Sequence, residues 1–371
     1  MNKIVWLSDL DFSVSGYFNI SVNICKGLVE LGYEVYVIGL SYRGEQHDFP
    51  FHIIPAQNAQ EACACIANLH IAEQFDALIV ALDIPAQETF MNMLKGRPFK
   101  YIGIMPIESD PLCMSWGTVL LEMDKRLIIS KFGTEEAKKV GVQTTYLPIG
   151  IDTKSWRIPT EEERASIRTS FGFTKDNFVI LTVADNQERK NLSKAFEIVG
   201  EFSKDKPDVR YILVTRVNCP VGWKLDDLAL MYGIHQKLLK FNRGMSFKEL
   251  WSLYAISNCF LLTSKSEGLG LPLVEAMACG VPCIANNATG MSELLADDRG
   301  FLAKYNYKYV DPFGNGNRYF MDKDDALLQL EKVYGHSCQR MITKARKYAE
   351  SRTWNDTVSI VDNAIKELMN T

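Results

Sequence analysis

Residues 261–285 read LLTSKSEGLGLPLVEAMACGVPCIA. An apolar strand, Phe260 to Thr263, runs into a Ser/Gly loop. Pro272 then opens a helix at the position proline tolerates best. Glu267 lies in the loop and Glu275 falls in the expected first helical turn, eight residues on. A strand, a glycine loop and a helix N-terminus in that order present backbone N–H groups to an anion. Carboxylates in such a place suit hydroxyls better than phosphate. A ligand carrying both phosphates and many hydroxyls is a nucleotide-sugar. A buried strand–helix unit in which Glu275 complements the helix dipole accounts for Glu275. It does not account for Glu267, Gly268 and Gly270 together.

The run EGLGLPLVEAMACGVP, Glu267 to Pro282, resembles the E-x7-E signature of retaining glycosyltransferases of family 4. The resemblance implies an α/β protein of the GT-B fold, with two Rossmann-like domains facing across a cleft. It implies transfer of a hexose from a UDP- or GDP-linked sugar to an acceptor hydroxyl, with the anomeric configuration retained. Glu267 would then fix sugar hydroxyls and Glu275 the ribose hydroxyls. Gly268, Leu269, Gly270 and Leu271 would line the donor.

The bulk composition fits. A chain of 371 residues suits two domains of ordinary size. Apolar residues make up 47% and charged residues 23%, as in a globular enzyme. The apolar runs are far shorter than a membrane span. Only Ile4–Leu7 is apolar before Ser8, so no signal peptide is expected. The nine cysteines include no CxxC pair and no histidine cluster lies near them, so zinc is not expected. Reduced thiols and a cytoplasmic location are expected instead. A net charge of −4 gives no case for nucleic acid. Residues 1–150 carry 11 Lys/Arg against 17 Asp/Glu, a balance of −6, and the remainder 30 against 28, a balance of +2. The acidic first half disfavours an anionic lipid surface, so a soluble acceptor is expected.

Strand candidates alternate with helices in the first half. They are Ile4–Leu7, Val35–Leu40, Phe51–Ile54, Ala77–Leu82, Tyr101–Ile104, Leu127–Ile129 and Thr145–Leu147. A helix over Ile20 to Leu31 should end at Gly32. The pattern restarts with Phe178–Val183, Tyr211–Val214, Leu238–Phe241, Phe260–Thr263 and Val281–Ala285. Such alternation predicts parallel sheets with helices on both faces. Residues 1–150 are expected to form a first domain on the acceptor side, and 151–352 a second with the donor site. The last helix, 353–371, is expected to cross back to the first, as the resemblance implies. Gly150 to Thr160 reads as the joint, and YLPIGIDTKSW, 146–156, resembles the family's interdomain segment. Residues 306–322, NYKYVDPFGNGNRYFMD, read as an ordered loop with turns.

Further candidates flank the strands. The loop SDLDFSVSGYFN, 8–19, has a single glycine, Gly16, and no G-x-G-x-x-G, which argues against a nicotinamide-dinucleotide enzyme. By resemblance, Ser15, Gly16 and Tyr17 cover the donor phosphates. The Asp9-x-Asp11 pair is similar to metal-binding carboxylates of the other glycosyltransferase fold. It lies too close to the N-terminus for that role, and an acidic turn explains it. In LTVADNQERKNL, 181–192, Arg189 and Lys190 are expected to open a helix. Cations there are unfavourable without an anion, and a diphosphate is the natural one. Lys190 matches the family's phosphate lysine. The family's arginine position falls near Asp185 or Asn186, so Arg189 is taken as its substitute. With those two cations, no metal or other cofactor is expected. LLKFNRG, 238–244, with Phe241 and Asn242, matches the nucleobase region. NNATGMSE, 286–293, with Gly290 and Glu293, resembles a loop near the pyrophosphate.

Many members carry a histidine after a strand of the first domain. The corresponding segment IGIMPIESDPLCMSW, 102–116, has none. His47, His52, His70, His235 and His336 lie elsewhere. Glu108 is the candidate for that place, and Trp116 either lines the acceptor side or belongs to the core. A sugar-nucleotide-binding protein without turnover, and a nucleotide-sugar epimerase of the same fold, remain the alternatives.

Overall fold

A computed structural model describes residues 3–12 and 15–370; Ser13 and Val14 of the first loop fall outside it. The described chain divides into two compact units. One comprises the residues up to Gly150, residues 312–316 and the segment from Arg352 on. The other comprises 151–311 and 317–351.

The first unit holds a seven-stranded sheet in the order β3-β2-β1-β4-β5-β6-β7, every pair parallel. Its strands are β1 (Lys3–Asp9), β2 (Glu34–Leu40), β3 (His52–Ala56), β4 (Ala77–Ala81), β5 (Lys100–Met105), β6 (Lys125–Ile128) and β7 (Thr145–Tyr146). All five residues of β4, the central strand, are buried. Strands covered by helices on both faces read as continuous apolar runs for this reason. The helix Gly16–Glu30 starts four residues earlier than its apolar periodicity suggests, because Ser15 caps it by accepting from the Phe18 N–H at 3.1 Å. Gly32 follows it at φ +89°, the left-handed conformation that glycine adopts without strain. The last helix, Trp354–Met369, belongs to this unit: Tyr33 donates its hydroxyl proton to Asp362 Oδ1 at 2.7 Å.

The second unit holds a six-stranded parallel sheet in the order β10-β9-β8-β11-β12-β13. Its strands are β8 (Phe178–Val183), β9 (Val209–Thr215), β10 (Leu238–Asn242), β11 (Cys259–Leu262), β12 (Cys283–Asn286) and β13 (Phe301–Ala303). The last is too short to show a pattern in sequence. The chain steps outward from β8 to β9 and β10, then returns to place β11 on the other side of β8. The carboxyl ends of β8 and β11 therefore flank a topological switch point, where loops diverge and leave room for a ligand.

Residues 306–322 are not a loop. They form most of an antiparallel hairpin, β14 (Tyr305–Val310) and β15 (Asn317–Met321). Tyr305, Tyr307 and Tyr309 alternate with Asn306 and Lys308 as a strand does, but the Asp-Pro and glycine-rich turn that follows makes the whole stretch read as loop. Two other expectations need correction. Arg189 and Lys190 do not open a helix; they lie in a 3-10 turn, Glu188–Lys190, and the helix Leu192–Phe202 begins after Asn191. Glu275 is not in a first turn: its helix starts at Leu271, which puts Glu275 in the second.

Candidate active site

The loops after β8 and β11 are stitched together at the switch point. Lys265 donates its backbone N–H to Arg189 O at 2.8 Å, and the Thr263 hydroxyl donates to Asn191 O at 3.0 Å. This stitching carries two cations onto one carboxylate. Lys190 Nζ donates to Glu267 Oε1 at 2.6 Å, and Arg189 Nη1 donates to Glu267 Oε2 at 3.0 Å. Ser264 Oγ adds a third bond to Oε1 at 2.6 Å.

Glu267 is only 6% exposed. Burial alone would push its carboxyl pKa up, but Lys190 and Arg189 outweigh it and hold the group down at about 2. The glutamate is therefore ionised at neutral pH in a place where an unpaired charge would cost several kcal/mol. Two cations therefore meet a single carboxylate at this loop.

The glycine loop owes its shape to close backbone packing. Gly270 caps the helix Leu271–Ala278 at φ +97°. Gly290 donates its N–H to Glu267 O at 3.1 Å, and a Cβ on Gly290 would lie 2.8 Å from Gly268 O. Thr289 Oγ1 accepts from the Glu267 N–H at 2.9 Å. Gly268 and Leu269 are buried, Leu271 is half-buried, and Glu293 lies half-buried in the helix Thr289–Leu295.

Glu275 lies four residues into its helix, half-buried, and Tyr254 donates its hydroxyl proton to Oε2 at 2.8 Å. Desolvation raises its pKa to about 7, the tyrosine bond pulling weakly the other way. Phe241 and Asn242 end β10. Phe241 lies edge-on to Phe171, and Asn242 Oδ1 accepts from the Val217 N–H at 3.1 Å. In the first unit, Ser15 and Gly16 form the amino end of the helix Gly16–Glu30, while Glu108 sits half-buried three residues past β5. Trp116 packs edge-on against Phe313, so the tryptophan is a packing residue of that unit.

Several polar residues at this edge had no signal in the motif. Arg318 on β15 is 2% exposed and donates to Ser266 Oγ at 2.9 Å. Lys265 is 3% exposed and pairs with Glu188, its ammonium 4.3 Å from the Phe320 ring centroid. Burial lowers its pKa to about 8. The hairpin thus braces the loop that carries Glu267. Arg216 and Arg243 converge on Asp185. The one sequence feature common to these two arginines is their position, each directly following a parallel strand. No group of three or more His, Cys, Asp or Glu side chains suited to a metal ion occurs among the described residues.

Residues 163–347, which include every one of these second-unit groups, match the family described as glycosyl transferases group 1. The chain belongs to the glycosyl transferases of group 1. One relative of this group 1 chain is the GDP-mannose-dependent monoacylated α-(1-6)-phosphatidylinositol monomannoside mannosyltransferase of Corynebacterium glutamicum. The two are 24% identical over 193 residues, 49% of each chain. The chain spans about half the length of the curated relatives it matches. Likeness to solved structures runs over the full length. Sucrose-phosphate synthase from Thermosynechococcus elongatus superposes with a TM-score of 0.80 at 14% identity, covering 100% of both chains. Anabaena HepE in complex with UDP-glucose gives 0.75 at 17% identity, again over 100% of both. The group 1 chain has the GT-B fold.

Proposed function

We propose that this chain is a retaining hexosyltransferase that moves a hexose from a nucleoside diphosphate sugar to an acceptor hydroxyl. The observation that carries the reading is the buried, ionised Glu267 held between Lys190 and Arg189 at the switch point of the second sheet. The group 1 match and the nucleotide-sugars named for the relative and for HepE support the donor class.

In this reading the bond between the anomeric carbon and the β-phosphate oxygen breaks as the acceptor oxygen attacks from the same face. The acceptor proton passes to the departing diphosphate. The sugar becomes oxocarbenium-like as the diphosphate gains charge, so a fixed cation pair lowers the barrier where charge develops. Lys190 and Arg189 supply it, which makes a metal unnecessary. Glu267 orients sugar hydroxyls and Glu275 holds the ribose. Phe241 and Asn242 border the nucleobase, and Ser15 and Gly16 cover the phosphates. Glu108 serves the acceptor side. The acidic balance of residues 1–150 favours a soluble acceptor over anionic lipid, and nine free thiols favour a reducing, cytoplasmic setting.

The test is incubation with GDP-mannose, UDP-glucose and UDP-N-acetylglucosamine against a panel of saccharide acceptors, with the product's anomeric configuration read by NMR. Transfer with the donor's configuration is expected. An inverted product overturns retention. Donor binding without transfer across the panel favours a binding protein, and conversion of the donor sugar itself favours an epimerase.

A further inference from the structure

The Tyr254 hydroxyl that donates to Glu275 Oε2 at 2.8 Å is itself held from several sides. Tyr254 is fully buried on the helix Phe247–Ile256. Its ring stacks on Phe260 of β11 with centroids 5.7 Å apart, and it meets Trp156 edge-on at 5.4 Å. Trp156 comes from the joint segment that follows Gly150, and its other aromatic neighbour is Phe247 at 4.9 Å. Arg346, on the helix Gln339–Glu350, ties that segment to the helix of Glu275. It donates to Thr153 O at 2.9 Å, to Trp156 O at 2.7 Å and to Ala278 O.

We propose that Tyr254 is a positioning residue for Glu275, held in place by Trp156, and that it keeps the carboxylate ready to accept from a ribose hydroxyl. The inference rests on the ribose assignment above. Two arguments lead there. The first is geometry. A carboxylate accepts through both oxygens. Tyr254 engages Oε2, which fixes the plane of the group and leaves Oε1 to meet the ligand. The phenol cannot turn away, because Phe260 and Trp156 confine its ring.

The second is charge. A buried carboxyl left to itself takes up a proton, and half of its acceptor capacity becomes a donor. A hydrogen bond to the ionised form opposes this, as the Tyr254 bond does. Tyr254 stays a donor throughout, since burial and the neighbouring carboxylate push its own pKa well above the usual phenol range. The other ionisable groups around this helix do not replace it. Cys279 and Cys283 are pushed up by burial and stay neutral, Arg346 is engaged by carbonyls, and Arg157 pairs with Glu163. Glu293, on the helix Thr289–Leu295, adds only a further carboxylate.

The test titrates UDP and GDP into wild type and Tyr254→Phe by calorimetry between pH 6 and pH 9. The ratio of the two affinities is the readout, because the ligand's own ionisation cancels in it. Loss of a hydrogen bond to the charged form should move the Glu275 midpoint up by about one pH unit. Tyr254→Phe should then bind about fivefold more weakly than wild type at pH 7, and the gap should close toward pH 9. In the Glu275→Gln background the same substitution should give a ratio that does not vary with pH. Site-specific 3-fluorotyrosine in place of Tyr254 keeps the ring and strengthens the donor, so it should move the midpoint down. It carries the test alone if Tyr254→Phe fails to fold. A gap that is the same at every pH overturns the inference, because Tyr254 would then only fill space. The absence of any gap overturns it too, and both results leave the proposed function standing. A wild type that gains no affinity between pH 6 and pH 8 overturns the ribose assignment and this inference together. A wild type that binds neither UDP nor GDP overturns the donor class, and this inference with it.

Discussion

Lys190 and Glu267 stand 77 residues apart in the chain and meet at 2.6 Å. Neither would be stable there alone. The ammonium and the carboxylate are each largely withdrawn from water, and an unmatched charge in such a place destabilises the fold by about 3–5 kcal/mol. Their meeting follows from strand order, because β8 and β11 are neighbours and both loops leave from the same edge.

Glu267→Gln should therefore affect both transfer and stability. Turnover is expected to fall on the order of 10- to 100-fold if one transition-state contact is lost. Nucleotide affinity should not weaken, since Lys190 and Arg189 remain. The pH profile of stability follows from the sign of the shift. A carboxyl held at about 2, against an ordinary 4.5, stabilises the native state above pH 4.5 and loses that contribution as pH falls toward 2. Acid titration of unfolding should show wild type losing more stability than Glu267→Gln across that window. Equal losses contradict the pairing, and equal loss of free nucleotide and nucleotide-sugar binding contradicts the sugar role.

Glu275 runs the other way. Its pKa of about 7 lies above the ordinary 4.5, so the native state favours the proton, and ionisation costs stability as pH rises from 4.5 through 7. Glu275→Gln should melt closer to, or above, wild type at pH 8 than at pH 5. If the ionised form holds ribose hydroxyls, wild-type nucleotide affinity should rise between pH 6 and pH 8. The rise should be absent in the variant, whose affinity should be weaker by about 1.5–3 kcal/mol at pH 8. Calorimetry that finds the same affinity in both proteins removes the ribose assignment.

Gly290→Ala tests the packing of the glycine loop. The new Cβ would stand 2.8 Å from Gly268 O and 3.0 Å from Glu267 O, both backbone atoms that cannot rotate away. Overpacking of this kind costs about 1–3 kcal/mol. The expected result is a lower melting temperature together with reduced transfer. A variant with wild-type melting and wild-type turnover would show that the loop yields freely.

Metal independence is a direct consequence of assigning the diphosphate to Lys190 and Arg189. Transfer should persist in excess EDTA. Loss of activity in chelator with recovery on adding manganese would contradict it.

Glu108→Gln keeps shape and removes charge on the loop past β5. A carboxylate there can accept a hydrogen bond from an incoming hydroxyl but has no N–H to donate, unlike imidazole. Turnover should fall while nucleotide affinity stays intact. Full activity would make Glu108 an ordinary loop acid.

Much of this protein is local enough to read from the chain. Alternating apolar runs and helical stretches disclose two parallel sheets, because strands buried on both faces must be apolar throughout. The spacing of Glu267, Gly268, Gly270 and Glu275 marks a strand, turn and helix, because glycine and proline punctuate the backbone in positions set by its geometry. Tertiary structure decided the pairings. That Arg189 and Lys190 face Glu267, rather than stand at a helix start, depends on which strands are neighbours. Arg216 and Arg243 meet Asp185 for the same reason, and no spacing along the chain encodes it. The alternation of Tyr305, Tyr307 and Tyr309 with Asn306 and Lys308 is legible on β14, but the glycine-rich turn beside it reads as loop; the pairing of β14 with β15, and the bond from Arg318 to Ser266, exist only once the chain is folded. Local sequence sets φ, ψ and burial preference, while the meeting of distant charges is set by strand order.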